Sequence, residues 1–154
     1  MGKKSAGIIL YRKKNNILEI MLVHPGGPFW AKKDIRVWSI PKGEFNDDEE
    51  PLAAAKREFE EELGSKVLSG NFIELSVVKA KSGKAVSAFA AEEDFDTTNI
   101  KSNFCLIDWP PRSGKKMEVP EIDKAEWFDV ETAKQKIIGY QLPLIEELRS
   151  KIRI

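Results

Sequence analysis

Apolar positions along the chain follow two rhythms. Residues 6–12 (AGIILYR) and 18–24 (LEIMLVH) are short β-branched and aliphatic runs suited to buried strands, and Lys13-Lys14-Asn15-Asn16 between them is a polar turn. The pair reads as a hairpin that starts a sheet. Pro25-Gly26-Gly27-Pro28 then breaks the second run and opens a loop to about Val37, which mixes Phe29 and Trp30 with Lys32, Lys33 and Arg36. Loops of this length inside compact domains are often functional. A short extended piece, 38–40, ends at Pro41. Further on, 72–80 and 85–91 predict strands joined at Ser82-Gly83, and 104–109 and 126–128 predict two more. Between these last two lies a loop with three cations, Arg112, Lys115 and Lys116.

The rhythm changes to 3.6 over residues 51–63. Pro51 suits a first helical position, where its missing N–H would be unpaired anyway, and Gly64 suits the left-handed residue after the last turn. At ~100° per residue, Leu52, Ala55, Phe59 and Leu63 form one stripe roughly 80° wide. Glu58, Glu61 and Glu62 fall on a face about 120° away, where Ala54, one turn before Glu58, leaves space. Glu58 and Glu62 are an i,i+4 like-charge pair, which disfavours an isolated helix and so points to a positive partner. Residues 131–138 and 143–152 predict two further helices, the second with Leu144, Ile145 and Leu148 on one stripe. The elements together predict one α/β (α+β) domain over 1–154, a mixed sheet covered by helices.

Composition narrows the function. The 154 residues are 42% hydrophobic and 32% charged, with 25 basic and 25 acidic side chains. That balance suits a soluble globular protein, and its lack of net charge argues against a generic nucleic-acid binder. A single cysteine, Cys105, excludes an internal disulfide and a multi-cysteine zinc site, and a single histidine, His24, leaves no histidine cluster. Both are expected to serve structure. The amino-terminal apolar run is too short for a signal peptide, and position 6 is alanine, which fails the myristoylation pattern. No run approaches the length of a membrane span, so the expectation is a cytoplasmic protein with no membrane and no nucleic-acid partner. The oligomeric state is not fixed by the sequence.

Gly43, Glu49, Arg57-Glu58, Phe59, Glu61-Glu62 and Gly64 stand at the spacing of the Nudix hydrolase signature, and the chain resembles that family. At roughly 5–7% usage per residue type, seven fixed matches arise by chance on the order of 10⁻⁹ times per start position. Ser65, where an aliphatic residue is usual, and the bulky Phe59 depart from the pattern at packing positions. SAGIILYR, WSIPKGE and EIDKAEWF are similar to the branch that contains dinucleoside polyphosphate hydrolases. The resemblance implies an α/β/α sandwich and cleavage of a phosphoanhydride in a nucleoside diphosphate-linked substrate.

It also implies roles for particular residues. Glu58, Glu62 and Glu61, with the carbonyl of Gly43, would hold Mg²⁺ or Mn²⁺, hard cations that take oxygen ligands. Glu49 and Arg57 would form a structural pair within the signature, and Gly64 would end the helix. Glu121 is the candidate general base, with Glu118 and Glu61 as rivals. Lys42 would meet a phosphate oxygen, and Arg36, Arg112, Lys115 and Lys116 are candidates for the distal phosphates. Phe29, Trp30, Trp38, Trp109 and Tyr140 are the aromatic pool from which a base-stacking face would come. The expected substrate is a dinucleoside polyphosphate such as diadenosine tetraphosphate. The alternatives are a nucleoside triphosphate pyrophosphohydrolase, cleavage of ADP-ribose or a nucleotide sugar, and a non-catalytic nucleotide-binding module.

Overall fold

The computed structural model describes residues 3–152. Its centre is strand β1 (Lys4–Lys14), whose odd and even side chains enter two different cores. Ala6, Ile8 and Leu10 face helix α1 (Pro51–Leu63), while Ile9 and Tyr11 face α2 (Val130–Lys136) and α3 (Leu142–Lys151). A strand buried on both faces has no polar alternation, which is why 6–12 reads as a continuous apolar run. The α/β/α sandwich is thus set by one strand.

β1 pairs antiparallel with β2 (Ile17–Pro25) across a turn in which Asn15 and Asn16 both have positive φ. β2 pairs antiparallel with β9 (Ile122–Asp129), and β1 pairs in parallel with β6 (Ala85–Glu92). The short β3 (Lys42–Glu44) lies antiparallel to Ser5–Gly7 of β1. A Cβ on Gly7 would come within 2.6 Å of the Pro41 carbonyl oxygen, so glycine is what lets the two backbones meet.

Four expectations about the strands change. The predicted strand 72–80 is two fragments on the β6 edge, β4 (Ile73–Glu74) and β5 (Val78–Lys79). Between them Ser76 gives its N–H to Glu147 of α3 at 2.8 Å instead of to the sheet. Residues 38–40 form isolated bridges to Val23 and Ile137, not a ladder. The 126–128 strand extends over all of β9 because it pairs with the whole of β2. Lastly, β7 (Phe104–Asp108) pairs with β8 (Lys116–Pro120) in a separate two-stranded ribbon.

Helix α1 has the predicted limits, and Gly64 follows it at φ 80° with its N–H on the Glu60 carbonyl at 2.8 Å. Its last carbonyls are taken by a passing segment: Lys101 N–H donates to Leu63 at 3.0 Å and Asn103 N–H to Glu61 at 3.2 Å. Ala54 does not leave space on the glutamate face; it is fully buried in the core with Ala55, Phe59 and Leu63. The apolar stripe is therefore wider than its large side chains suggest. Among the described residues no helix is long and apolar enough to cross a membrane.

Candidate active site

β3 and α1 cross closely enough to define the site by exclusion. A Cβ on Gly43 would lie 1.9 Å from Glu58 Oε1 and 2.4 Å from Oε2, so the Glu58 carboxylate fills the place where a side chain would stand. Next to it, the Lys42 N–H donates to Glu62 Oε1 at 3.2 Å. Arg57 holds Glu49 by two parallel bonds, Nε to Oε2 at 2.8 Å and Nη2 to Oε1 at 3.0 Å, and so ties the acidic loop to the helix. Its Nη1 also reaches Glu58 Oε2 at 3.0 Å and Glu61 Oε1 at 3.2 Å. The guanidinium is the nearest counter-charge of the acidic face.

That charge is not sufficient for the deepest carboxylate. Glu62 is 9% exposed, and burial followed by repulsion from Glu121 pushes its pKa up to about 8. Burial and the Glu61 charge also raise Glu58 and Glu121 above the usual carboxylate range. Lys42 is lowered by burial and by Lys84, against the pull of Glu62, Glu44 and Glu121. Glu121 follows β8 and is fixed by main chain: its N–H donates to the Asn103 carbonyl at 2.9 Å and its carbonyl accepts from Gly26 at 3.0 Å. Lys42, Glu62 and Glu121, with Pro25, Ser39 and Ile40, line a small cavity of about 160 Å³.

The donor set fits a hard divalent cation. Glu58, Glu61, Glu62 and Glu121 supply only oxygen, and the Gly43 cradle brings a backbone against the Glu58 carboxylate. Glu62 is buried with more negative than positive charge around it. Among the described residues no three acidic, histidine or cysteine side chains stand as a preformed metal cluster, and Arg57 engages Glu58 and Glu61.

The other candidates divide by position. Trp38 is not available to a base: it is 1% exposed, packs edge-on against His24 and Phe128, and donates Nε1–H to Asp34 at 3.0 Å. Tyr140 packs against the same core and accepts from Gln141. Arg36, at φ 64°, donates its Nη1–H to the Lys134 carbonyl and its backbone N–H to Gln135, which turns it toward α2. Phe29, Trp30 and Trp109 do come together, lining a cleft of about 300 Å³ with Ile107, Asp108 and Pro111. Gly26, whose N–H donates to the Glu121 carbonyl, also lines it, next in the chain to Pro25 of the carboxylate cavity. Arg112 and Lys115 are exposed in the ribbon turn, and Lys116 pairs with Asp108 at 2.8 Å. Glu118 sits on β8 opposite Leu106; it is Glu121, not Glu118, that shifts Glu62. Cys105 is half-buried on β7, and His24 is buried and bonded at both ring nitrogens. Asn103, which links Glu61 to Glu121 through its main chain, had no signal in the sequence.

Comparison with known proteins places the chain in a family. The family described as NUDIX domain matches residues 1–148. An RNA pyrophosphohydrolase of Bartonella henselae is 24% identical over 98% of this chain and 92% of its own length. One of Agrobacterium fabrum is 26% identical over 84% and 85%. Among solved structures, the Nudix domain of Shewanella oneidensis NrtR complexed with ADP-ribose superposes with TM-score 0.67 at 15% identity, covering 99% of this chain and 90% of that one. A C. elegans Ap4A hydrolase binary complex gives 0.65 at 21%, covering 97% and 96%. The chain belongs to the Nudix family, with its fold, and is a Nudix pyrophosphohydrolase.

Proposed function

We propose that the protein is a divalent-metal-dependent hydrolase of a phosphoanhydride in a nucleoside diphosphate-linked substrate, with a dinucleoside polyphosphate such as diadenosine tetraphosphate as the favoured substrate. The observation that carries the reading is the buried, charge-surplus Glu62 beside Lys42, in a cavity whose Pro25 precedes Gly26 of the aromatic cleft. Glu58, Glu61 and Glu62, with the Gly43 carbonyl, are the residues to hold Mg²⁺ or Mn²⁺. Such a cation supplies charge neutralisation at the phosphate oxygens and lowers the pKa of an attacking water. The chain's own residues do the positioning. Lys42 meets a phosphate oxygen from the β3 side, and Arg57 keeps Glu58 and Glu61 in register. Glu121, raised above the ordinary carboxylate range, accepts the proton of the attacking water as general base. The Phe29–Trp30–Trp109 cleft takes a base, and the exposed Arg112 and Lys115 attract the distal phosphates.

A second reading has its own support. The curated relatives are RNA pyrophosphohydrolases, and a 5′-triphosphorylated RNA end presents the same chemistry, a phosphate chain carrying a base. A panel of diadenosine tetraphosphate, nucleoside triphosphates, ADP-ribose and a triphosphorylated oligonucleotide, run with Mg²⁺ in ¹⁸O-labelled water, separates them. ATP plus labelled AMP, or AMP plus labelled ATP, is the result expected for the first reading. Turnover of mononucleotide triphosphates alone, or of the RNA end alone, sinks it.

A further inference from the structure

His24 is the only histidine of the chain and is 1% exposed, yet both of its ring nitrogens have partners. Nε2 lies 2.6 Å from the backbone carbonyl of Lys33, in the middle of the loop after β2. A carbonyl only accepts, so Nε2 carries a proton. Nδ1 lies 2.8 Å from Asp123 Oδ1, on β9. An ionised carboxylate also only accepts, and a ring with both nitrogens donating satisfies both contacts. Asp123 is the charged group bonded to the ring; beyond the adjoining Trp38, Lys124 lies over the indole at 5.5 Å, and Asp34, paired with Lys136, accepts its Nε1–H.

The position of Lys33 matters for the cleft. Its ammonium stands 3.7 Å from the centre of the Phe29 ring and 5.4 Å from that of Trp30, and those two rings meet edge to face at 4.7 Å. His24 thus fixes the backbone of the residue whose side chain braces two of the three aromatic walls. Within the loop Trp30 N–H donates to Gly27 and Lys33 N–H to Trp30, while the main-chain bonds that tie the loop to other elements, Gly26 to Glu121 and Arg36 to Gln135, lie near its ends.

We propose that His24, held as a doubly protonated ring between Asp123 and the Lys33 carbonyl, is a positioning residue that sets the shape of the Phe29–Trp30–Trp109 cleft and hence the affinity for the base, without acting in the chemical step. The part about the base rests on the functional reading above; the latch itself does not.

Asp123→Asn tests it, since that carboxylate is partly exposed and its loss leaves the core intact. Nitrogen-15 NMR of the single imidazole reads the ring protons directly. In the wild type both nitrogens are expected to be protonated, as their two acceptors require; in D123N a single Nε2–H tautomer is expected, with faster tryptic cleavage at Lys32, Lys33 and Arg36. With diadenosine tetraphosphate and Mg²⁺, KM should rise about tenfold in D123N while kcat stays within about twofold. His24→Gln, which keeps one donor for Lys33, should fall between the two. Wild-type-like ring protonation and cleavage in D123N would overturn the latch, and so would a neutral ring in the wild type. A fall in kcat at unchanged KM would overturn the positioning role. If the wild type does not hydrolyse diadenosine tetraphosphate, the functional reading fails, and the NMR and cleavage results on metal-free protein still decide the latch.

Discussion

Lys42 donates its backbone N–H to Glu62 Oε1 at 3.2 Å while its own side chain is half-buried beside the same carboxylate. One residue thus offers Glu62 a hydrogen bond and a cation, and the carboxylate still binds its proton up to a pH of about 8. Glu62→Gln is therefore expected to cut kcat by about three orders of magnitude, as loss of a metal ligand. In EDTA at pH 8 the same variant should melt above the wild type, because it removes a buried, under-compensated charge. A lower Tm for the variant under those conditions would contradict the burial argument.

The same group sets a pH dependence for the metal-free protein. The folded-state pKa of about 8 lies above the ordinary 4.5, so the folded state holds this proton more tightly than the unfolded chain. Its contribution to stability is complete below about pH 4.5 and is lost as pH rises through about 8. Stability in EDTA should fall across that window more steeply in the wild type than in Glu62→Gln. Mg²⁺, which favours the ionised carboxylate, should raise Tm more at pH 8 than at pH 6.

Gly43→Ala separates the fold from the metal site. The new Cβ meets the Glu58 carboxylate at 1.9 Å, and a glutamate side chain can swing away at small cost to the fold. The Mg²⁺ concentration for half-maximal activity should rise by about tenfold or more, with Tm nearly unchanged. A loss of Tm with unaltered Mg²⁺ dependence would show that Glu58 is not a ligand.

Arg57→Lys keeps the charge but loses the parallel bonds to Glu49 and the reach to Glu58 and Glu61. Because the guanidinium is 39% exposed, the stability cost should be only about 1 kcal/mol. The activity loss should be larger in proportion, and Tm and kcat measured together check the ratio.

Glu121→Gln is expected to lower kcat about a hundredfold and to flatten the acid limb of the pH–rate profile, the loss of a general base. Glu118→Gln should stay within about twofold, since its carboxylate points from an exposed strand of the ribbon.

Two tryptophans give opposite outcomes. Trp109→Ala should raise KM about tenfold with little change in Tm, which is the worth of one stacked base. Trp38→Ala should cost about 3–5 kcal/mol, because it empties a fully buried site between His24 and Phe128.

The contrast between Trp38 and Trp109 marks the limit of what a sequence carries. Gly43, Glu49, Arg57 and the glutamates of α1 were legible because their spacing is local: one helical period and one short loop. The same period placed Leu52, Ala55, Phe59 and Leu63 on the packed side. Glu62 shares that helix face with Glu61, yet one is buried and the other exposed, because β3 and Glu121 arrive from elsewhere in the chain. Trp38 is covered by His24 and Phe128, which the pairing of β2 with β9 brings together, and by Ile137, which follows α2. The strand at 72–80 was broken by a partner 71 residues away, Glu147. Contacts that distant leave no trace in a period.

Asn103 bonds through its N–H to the Glu61 carbonyl and through its carbonyl to the Glu121 N–H. Helix α1 and Glu121 are therefore stitched by main chain on both sides of one residue, and of the side-chain replacements at 103 only proline, which lacks the N–H, removes a stitch. The ribbon that begins one residue later, with its aromatic and cationic turn, hangs outside this seam. Over evolutionary time the turn at 109–115 can be lengthened, shortened or rewritten while the distance between α1 and Glu121 stays fixed.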